Sequence, residues 1–97
     1  MDSAAVLLAA ADRIEQLAAR TTGGRWARGG LLASRPEVVA ALPGGGTEHV
    51  AEARAATADW ITVMSPAVAA PLAAWLRAEA QEPIEPAAAA LAAVLLR

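Results

Sequence analysis

Apolar residues recur at Leu7, Ala10, Ile14 and Leu17, the three-and-four spacing that lines one face of a helix, while Asp12, Arg13, Glu15, Gln16 and Arg20 fall mainly elsewhere on the wheel. With Asp2 or Ser3 as a cap, the pattern predicts a first helix from about Ser3 to Arg20. Thr21, Thr22 and the Gly23-Gly24 pair should end it, with glycine as the C-terminal cap and Trp26 covering the helix end. From Trp26 to Ala53 the helical period is gone. Leu31-Leu32, Val38-Val39 and Val50 are short apolar segments divided by ARGG, SRPE and LPGGGTE, which are turn compositions. Two or three short strands are expected, with Glu37 to Leu42 pairing with Glu48 to Ala53 across PGGG.

The helical spacing returns at Ala56 and runs through Trp60, Val63 or Met64, Val68, Leu72, Trp75 and Leu76. Thr57 can cap a short helix to Met64, and Ser65-Pro66 reads as a new start with proline in the first helical position. Pro71 should kink or restart the longer helix, which is expected to reach about Gln81. EPIEP at 82–86 stops it, and AAAALAAVLLR follows as a last helix that is apolar almost all round. The expectation is an α+β fold: an N-terminal helix, a small antiparallel sheet, then two or three helices around one core. The divisions are 1–20 helix, 21–55 glycine-rich β segment, 56–82 helices and 86–97 apolar helix, all within one domain of 97 residues.

Composition alters this picture in one respect: 57% of the chain is hydrophobic, yet phenylalanine and tyrosine are absent and alanine fills nearly a third of positions. The core must be built from Leu, Val, Ile, Met and three tryptophans, with alanine letting helices approach closely. All eight basic residues are arginine, and Lys, Asn and Cys are missing, a bias typical of high-GC coding sequence. Without cysteine no disulfide framework or thiolate zinc site can form, which fits the cytoplasm. No basic segment precedes the first apolar stretch, against a signal peptide. The apolar run at 86–96 is shorter than the ~20 residues of a membrane span. A soluble protein with no membrane partner is therefore expected. Net charge is −2, and the four arginines between Arg20 and Arg35 are the one local positive feature. That is too small for the basic stripe of a duplex-DNA binder, and the arginines do not interleave with the tryptophans as on single-strand platforms, so nucleic acid is not an expected partner.

Two blocks, Thr22-Gly23-Gly24-Arg25-Trp26 and Ala56-Thr57-Ala58-Asp59-Trp60-Ile61-Thr62-Val63-Met64-Ser65-Pro66 followed by AAPLAAWLRAEA, carry a family resemblance. The chain resembles small phage-borne and actinobacterial proteins of unknown function, over most of residues 4–80. These have a first helix ending in A-x-T-P-G-P-W, a β segment ending in a V-A-(D/E) strand, and a D-A-x-(F/Y/W)-I-x-x-M-x-P helix with an L-x-x-x-L continuation. Gly23 and Arg25 stand where that pattern has prolines, and Asp59 stands one place after its acid. The resemblance implies the same α+β order and a phage or actinobacterial origin, and it implies no activity.

Catalytic chemistry finds no foothold. Ser3, Ser34 and Ser65 lie outside any G-x-S-x-G, and His49 is the only histidine. Glu48 and His49 point to opposite faces of a strand, so no metal site and no cofactor is expected. Glu79 and Glu82 read as solvated charge at a helix end. Two binding readings remain. One is an anionic small ligand such as a nucleotide, held at Arg20, Thr21, Thr22, Gly24, Arg25 and Arg28 by arginines and free glycine N–H groups, although neither standard phosphate-loop pattern is present. The other is a protein partner, either another protein or a second copy. An 11-residue helix apolar on nearly all sides either completes the core or docks on another subunit, and a symmetric dimer through Leu91, Val94, Leu95 and Leu96 is favoured. Trp60 and Trp75, on the apolar helical face, are expected in the core.

Overall fold

A computed structural model of the chain describes residues 2–29 and 36–97. The order is α1 (Ser3–Arg20), β1 (Trp26–Gly29), β2 (Glu37–Ala41), β3 (Thr47–Glu52), α2 (Ala55–Val63), a 3₁₀ turn (Pro66–Val68), α3 (Ala69–Glu79) and α4 (Pro86–Leu95). This is the expected α+β arrangement. The elements divide into two compact units: Met1–Arg20 with Ala69–Arg97, and Thr21–Val68.

The helical unit is α1, α3 and α4. Asp2 caps α1, its Oδ1 accepting from the Ala5 N–H at 2.7 Å. Glu85 caps α4 through Oε2, which accepts from the N–H groups of Ala87 (2.7 Å) and Ala88 (3.1 Å), with Pro86 in the first turn. The buried cluster is Leu7, Ala10, Ala11, Ala73, Leu76, Ala88 and Ala92. Five of these seven are alanine, so the helices meet backbone to backbone and only two leucines are fully enclosed. Ile14 and Leu72 flank the cluster, but Leu17 is turned out at 43% exposure and Ala11 takes its place on the inner face. Pro71 falls in the first turn of α3, which starts afresh at Ala69 after the 3₁₀ turn, and its missing N–H there leaves no intrahelical bond unmade. Arg77 Nη2 donates to Asp12 Oδ1 at 2.9 Å and to Glu15, joining α3 to α1. The Glu15 bond first and the Asp12 bond second hold the Arg77 guanidinium above its ordinary pKa.

The second unit is a three-stranded antiparallel sheet in the order β1-β2-β3, with α2 across one face. The β2–β3 hairpin forms as expected across Pro43 and the three glycines, with Ala41 opposite Thr47 and Glu37 opposite Glu52. Gly44, Gly45 and Gly46 all have positive φ, which is what lets so short a connection reverse the chain. A bulge between Val38 and Val39 inserts Val50 as an extra residue in β3. Val38 and Ala40 point inward and are fully buried, as is Ala58 of α2.

Three local expectations are corrected here. Ala27–Gly29, read as part of the ARGG turn, form a strand with Trp26: Gly29 faces Glu37, and a side chain there would meet Val39 Cγ2 at 3.2 Å. Gly24 does not cap α1. It lies four residues beyond the helix, at φ +86°, and a Cβ would sit 2.4 Å from the Ala41 carbonyl oxygen, so glycine is demanded by the loop's approach to β2. Arg54, not Thr57, occupies the cap position of α2, without a side-chain cap bond. The Leu31-Leu32 segment, Ser34 and Arg35 lie outside the described residues.

Urea unfolding should separate these roles. Leu7→Ala and Leu76→Ala are expected to cost about 2–5 kcal/mol, and Leu17→Ala under about 1. Gly24→Ala should cost about 1–3 kcal/mol through strain and the clash with Ala41, whereas Gly23→Ala, with open space around it, should be nearly neutral.

Candidate functional site

Around the glycine turn, the Trp26 indole N–H donates to the Thr22 carbonyl at 3.0 Å and so pins the loop that leads into β1. Beside it a surface hollow of about 370 Å³ is lined by Gly23, Gly24, Ala41, Leu42, Pro43 and Glu48. Its one ionisable group is a carboxylate. Arg28 projects from β1 on the α2 side of the sheet and its Nη1 donates to Asp59 Oδ2 at 3.3 Å, with both side chains about half exposed. Arg25, Thr21 and Gly24 are exposed and Thr22 is half-buried, while Arg20 ends α1 in the helical unit. Of the six residues of the anion reading, Gly24 alone lines the hollow, and Arg28 already has an acidic partner.

His49 is held by a residue that sequence proximity did not suggest. Its Nδ1 lies 2.6 Å from Glu37 Oε2, across the hairpin. The register explains the meeting: His49 stands opposite Val39, two places from Glu37 and on the same face. Strand pairing was the signal that could have found it. Among the described residues no group of three His, Cys, Asp or Glu side chains could hold a metal ion.

In the helical unit, Leu91, Leu95 and Leu96 are half-buried against the alanine cluster and Val94 is 49% exposed. The last helix thus packs on α1 and α3 through Ala88 and Ala92, and Val94 alone of the four named contact residues is left well exposed.

The largest departure from expectation is α2. Trp60, placed in the core on sequence grounds, is 67% exposed; Val63 is 70% and Met64 49% exposed. Trp75 on α3 is also 40% exposed. Spacing of three and four puts Trp60, Val63 and Met64 on one side of α2, opposite Ala58. Alanine can approach the sheet closely where tryptophan cannot, so the small face went in and the large face stayed out. Residues 55–79 also form a helical run of 25 residues, reaching a mean hydropathy of 1.3, long and apolar enough to cross a bilayer. The apolar run at 86–96 that stands out in the sequence is shorter, its helix ten residues long. The longer run is weak evidence for a span, since Pro66–Val68 interrupts it as a 3₁₀ turn and α3 buries Ala69, Ala73 and Leu76.

No protein-family model, curated protein or solved structure matches the chain.

The orientation of α2 can be read from stability. Trp60→Ala and Val63→Ala should each change the unfolding free energy in urea by less than about 1 kcal/mol, while Ala58→Leu, forced between α2 and the sheet, should cost about 1–3.

Proposed function

We propose that this chain is a non-enzymatic interaction module, a phage-related or actinobacterial accessory protein of the cytoplasm, and that it acts by binding protein through the outer face of α2. The observation that carries the reading is the exposure of Trp60, Val63 and Met64 together. Tryptophan and methionine are enriched at the centres of protein interfaces, tryptophan because its large rigid ring gains much contact area at little entropic cost, methionine because its flexible, polarisable thioether adapts to the partner. A contiguous apolar patch of a few hundred Å² on a small protein marks a contact surface more often than chance.

Two further features support the reading. His49, the sole imidazole, is engaged with Glu37 on the sheet surface. The phage-borne and actinobacterial resemblance, carried by the two sequence blocks, brings no reaction with it. An anionic ligand at the turn is the weaker alternative, because Arg28 is held by Asp59 and the neighbouring hollow presents Glu48.

A photo-crosslinking amino acid at position 63 tests this in cells of the source. The expected result is a discrete covalent adduct with a protein, lost when Trp60→Ala is added. Absence of any protein adduct at 63, with the chain folded and present, would contradict the reading.

A further inference from the structure

The hollow beside the glycine turn brings together two residues that the fold itself does not require. Its walls are Gly23 and Gly24 of the loop before β1, Ala41 at the end of β2, and Leu42 and Pro43 of the hairpin, with Glu48 of β3 as the one ionisable side chain. At about 370 Å³ it has the size of a small-ligand site. Both sides are tied in place. The Trp26 indole N–H donates to the Thr22 carbonyl at 3.0 Å and the Ala41 N–H to the Arg25 carbonyl at 2.9 Å, which hold the loop on β2. The Leu42 N–H donates to the Gly46 carbonyl at 3.1 Å and closes the hairpin. A ligand therefore meets walls that are already formed and does not have to order them.

Gly23 is the first of the two. Gly24, Gly44, Gly45 and Gly46 have positive φ, and a Cβ on Gly29 would press on Val39. A Cβ on Gly23 would meet nothing within 4 Å, and its φ is not in the left-handed region. Neither packing nor backbone geometry demands glycine there, and the space left open belongs to the hollow. Glu48 is the second. It stands opposite Ala40 in the hairpin, and among the described residues it has no ion-pair partner, whereas Asp12, Glu15, Glu37 and Asp59 each have one.

The lining selects the ligand by charge and polarity. An anion would face Glu48, with Arg28 already held by Asp59. A metal ion needs several side-chain ligands, and no such group occurs among the described residues. One carboxylate on an otherwise apolar wall fits an ammonium group carried on a compact apolar body. We propose that this hollow binds a small organic ammonium ion, Glu48 pairing with its charge while Ala41, Leu42 and Pro43 cover its body. The glycine turn is then a cation site, opposite in sign to the ligand that its arginines suggested. Glu48 is exposed to water, so the ion pair adds only about three- to fivefold to the affinity. The dissociation constant for a ligand of this size in a half-open site falls in roughly the 0.1–1 mM range. No residue of α2 takes part, so the site stands or falls separately from the protein contact assigned to that helix.

Amide chemical shifts of the full chain, titrated with phenethylammonium, test the proposal. Gly23, Gly24, Leu42 and Glu48 should shift together and saturate. The uncharged analogue 2-phenylethanol should bind about three- to fivefold more weakly and 3-phenylpropanoate more weakly still. Glu48→Gln should reduce the ammonium to the affinity of the alcohol and leave the alcohol unchanged. Gly23→Leu, which meets no neighbour at its Cβ, should fold normally by circular dichroism and weaken both ligands by crowding the hollow. Shifts that stay linear in phenethylammonium up to tens of millimolar overturn the proposal. So does binding of the carboxylate as tight as that of the ammonium, or ammonium affinity that survives Glu48→Gln unchanged.

Discussion

Everything in the helical unit depends on α1 lying close to α3 and α4 across alanine. Ala10, Ala11, Ala73, Ala88 and Ala92 are completely enclosed, and they leave space for only two whole leucines, Leu7 and Leu76. Helices that meet through alanine approach toward the ~8 Å lower end of interaxial distances, where dispersion contacts between backbones replace the contacts of long side chains. Each alanine contributes little hydrophobic area, but it also loses no rotamer entropy on burial. A larger side chain at any of these positions would have to push the helices apart.

The same rule governs the sheet unit at smaller scale. Val38 and Ala40 on β2 and Ala58 on α2 are all fully buried where α2 lies against the sheet, and the loop before β1 presses Gly24 on the Ala41 carbonyl. When small residues build the contacts, the large ones have nowhere to go but out. Trp60, Val63, Met64 and Trp75 are exposed because the close approach that holds each unit excludes them. Their exposure therefore follows from the way the units are built, and it supplies the apolar surface on which the proposed function rests.

The sequence carried some of this plainly and hid the rest for identifiable reasons. Ends of helices were legible in part: Asp2 accepts the orphan N–H that its position suggested and EPIEP separates α3 from α4, whereas the cap that Glu85 supplies to α4 was not singled out. The β2–β3 hairpin was legible because three glycines in a row leave few other conformations. Strand β1 was not, since ARG between turn residues becomes a strand only by pairing with β2, Trp26 opposite Ala40 and Gly29 opposite Glu37. The His49–Glu37 pair was hidden because it follows from cross-strand register. For α2 the ambiguity lies in the helix itself. Periodicity tells which residues share a face, and in an ordinary helix polarity then tells which face is inner. Both faces of α2 are apolar, Ala58 with Ile61 on one and Trp60 with Val63 on the other, so polarity is silent and size decides.

Small side chains inside and large apolar ones outside is the claim on which both the fold and the function stand. The most direct test is solvent paramagnetic relaxation of the three indole N–H resonances in dilute protein, with a soluble gadolinium chelate as the probe. Trp60 should be the most strongly broadened, Trp75 less so, and Trp26, whose N–H is donated to the Thr22 carbonyl, the least. A Trp60 resonance as protected as that of Trp26 would place it in a core and contradict the account.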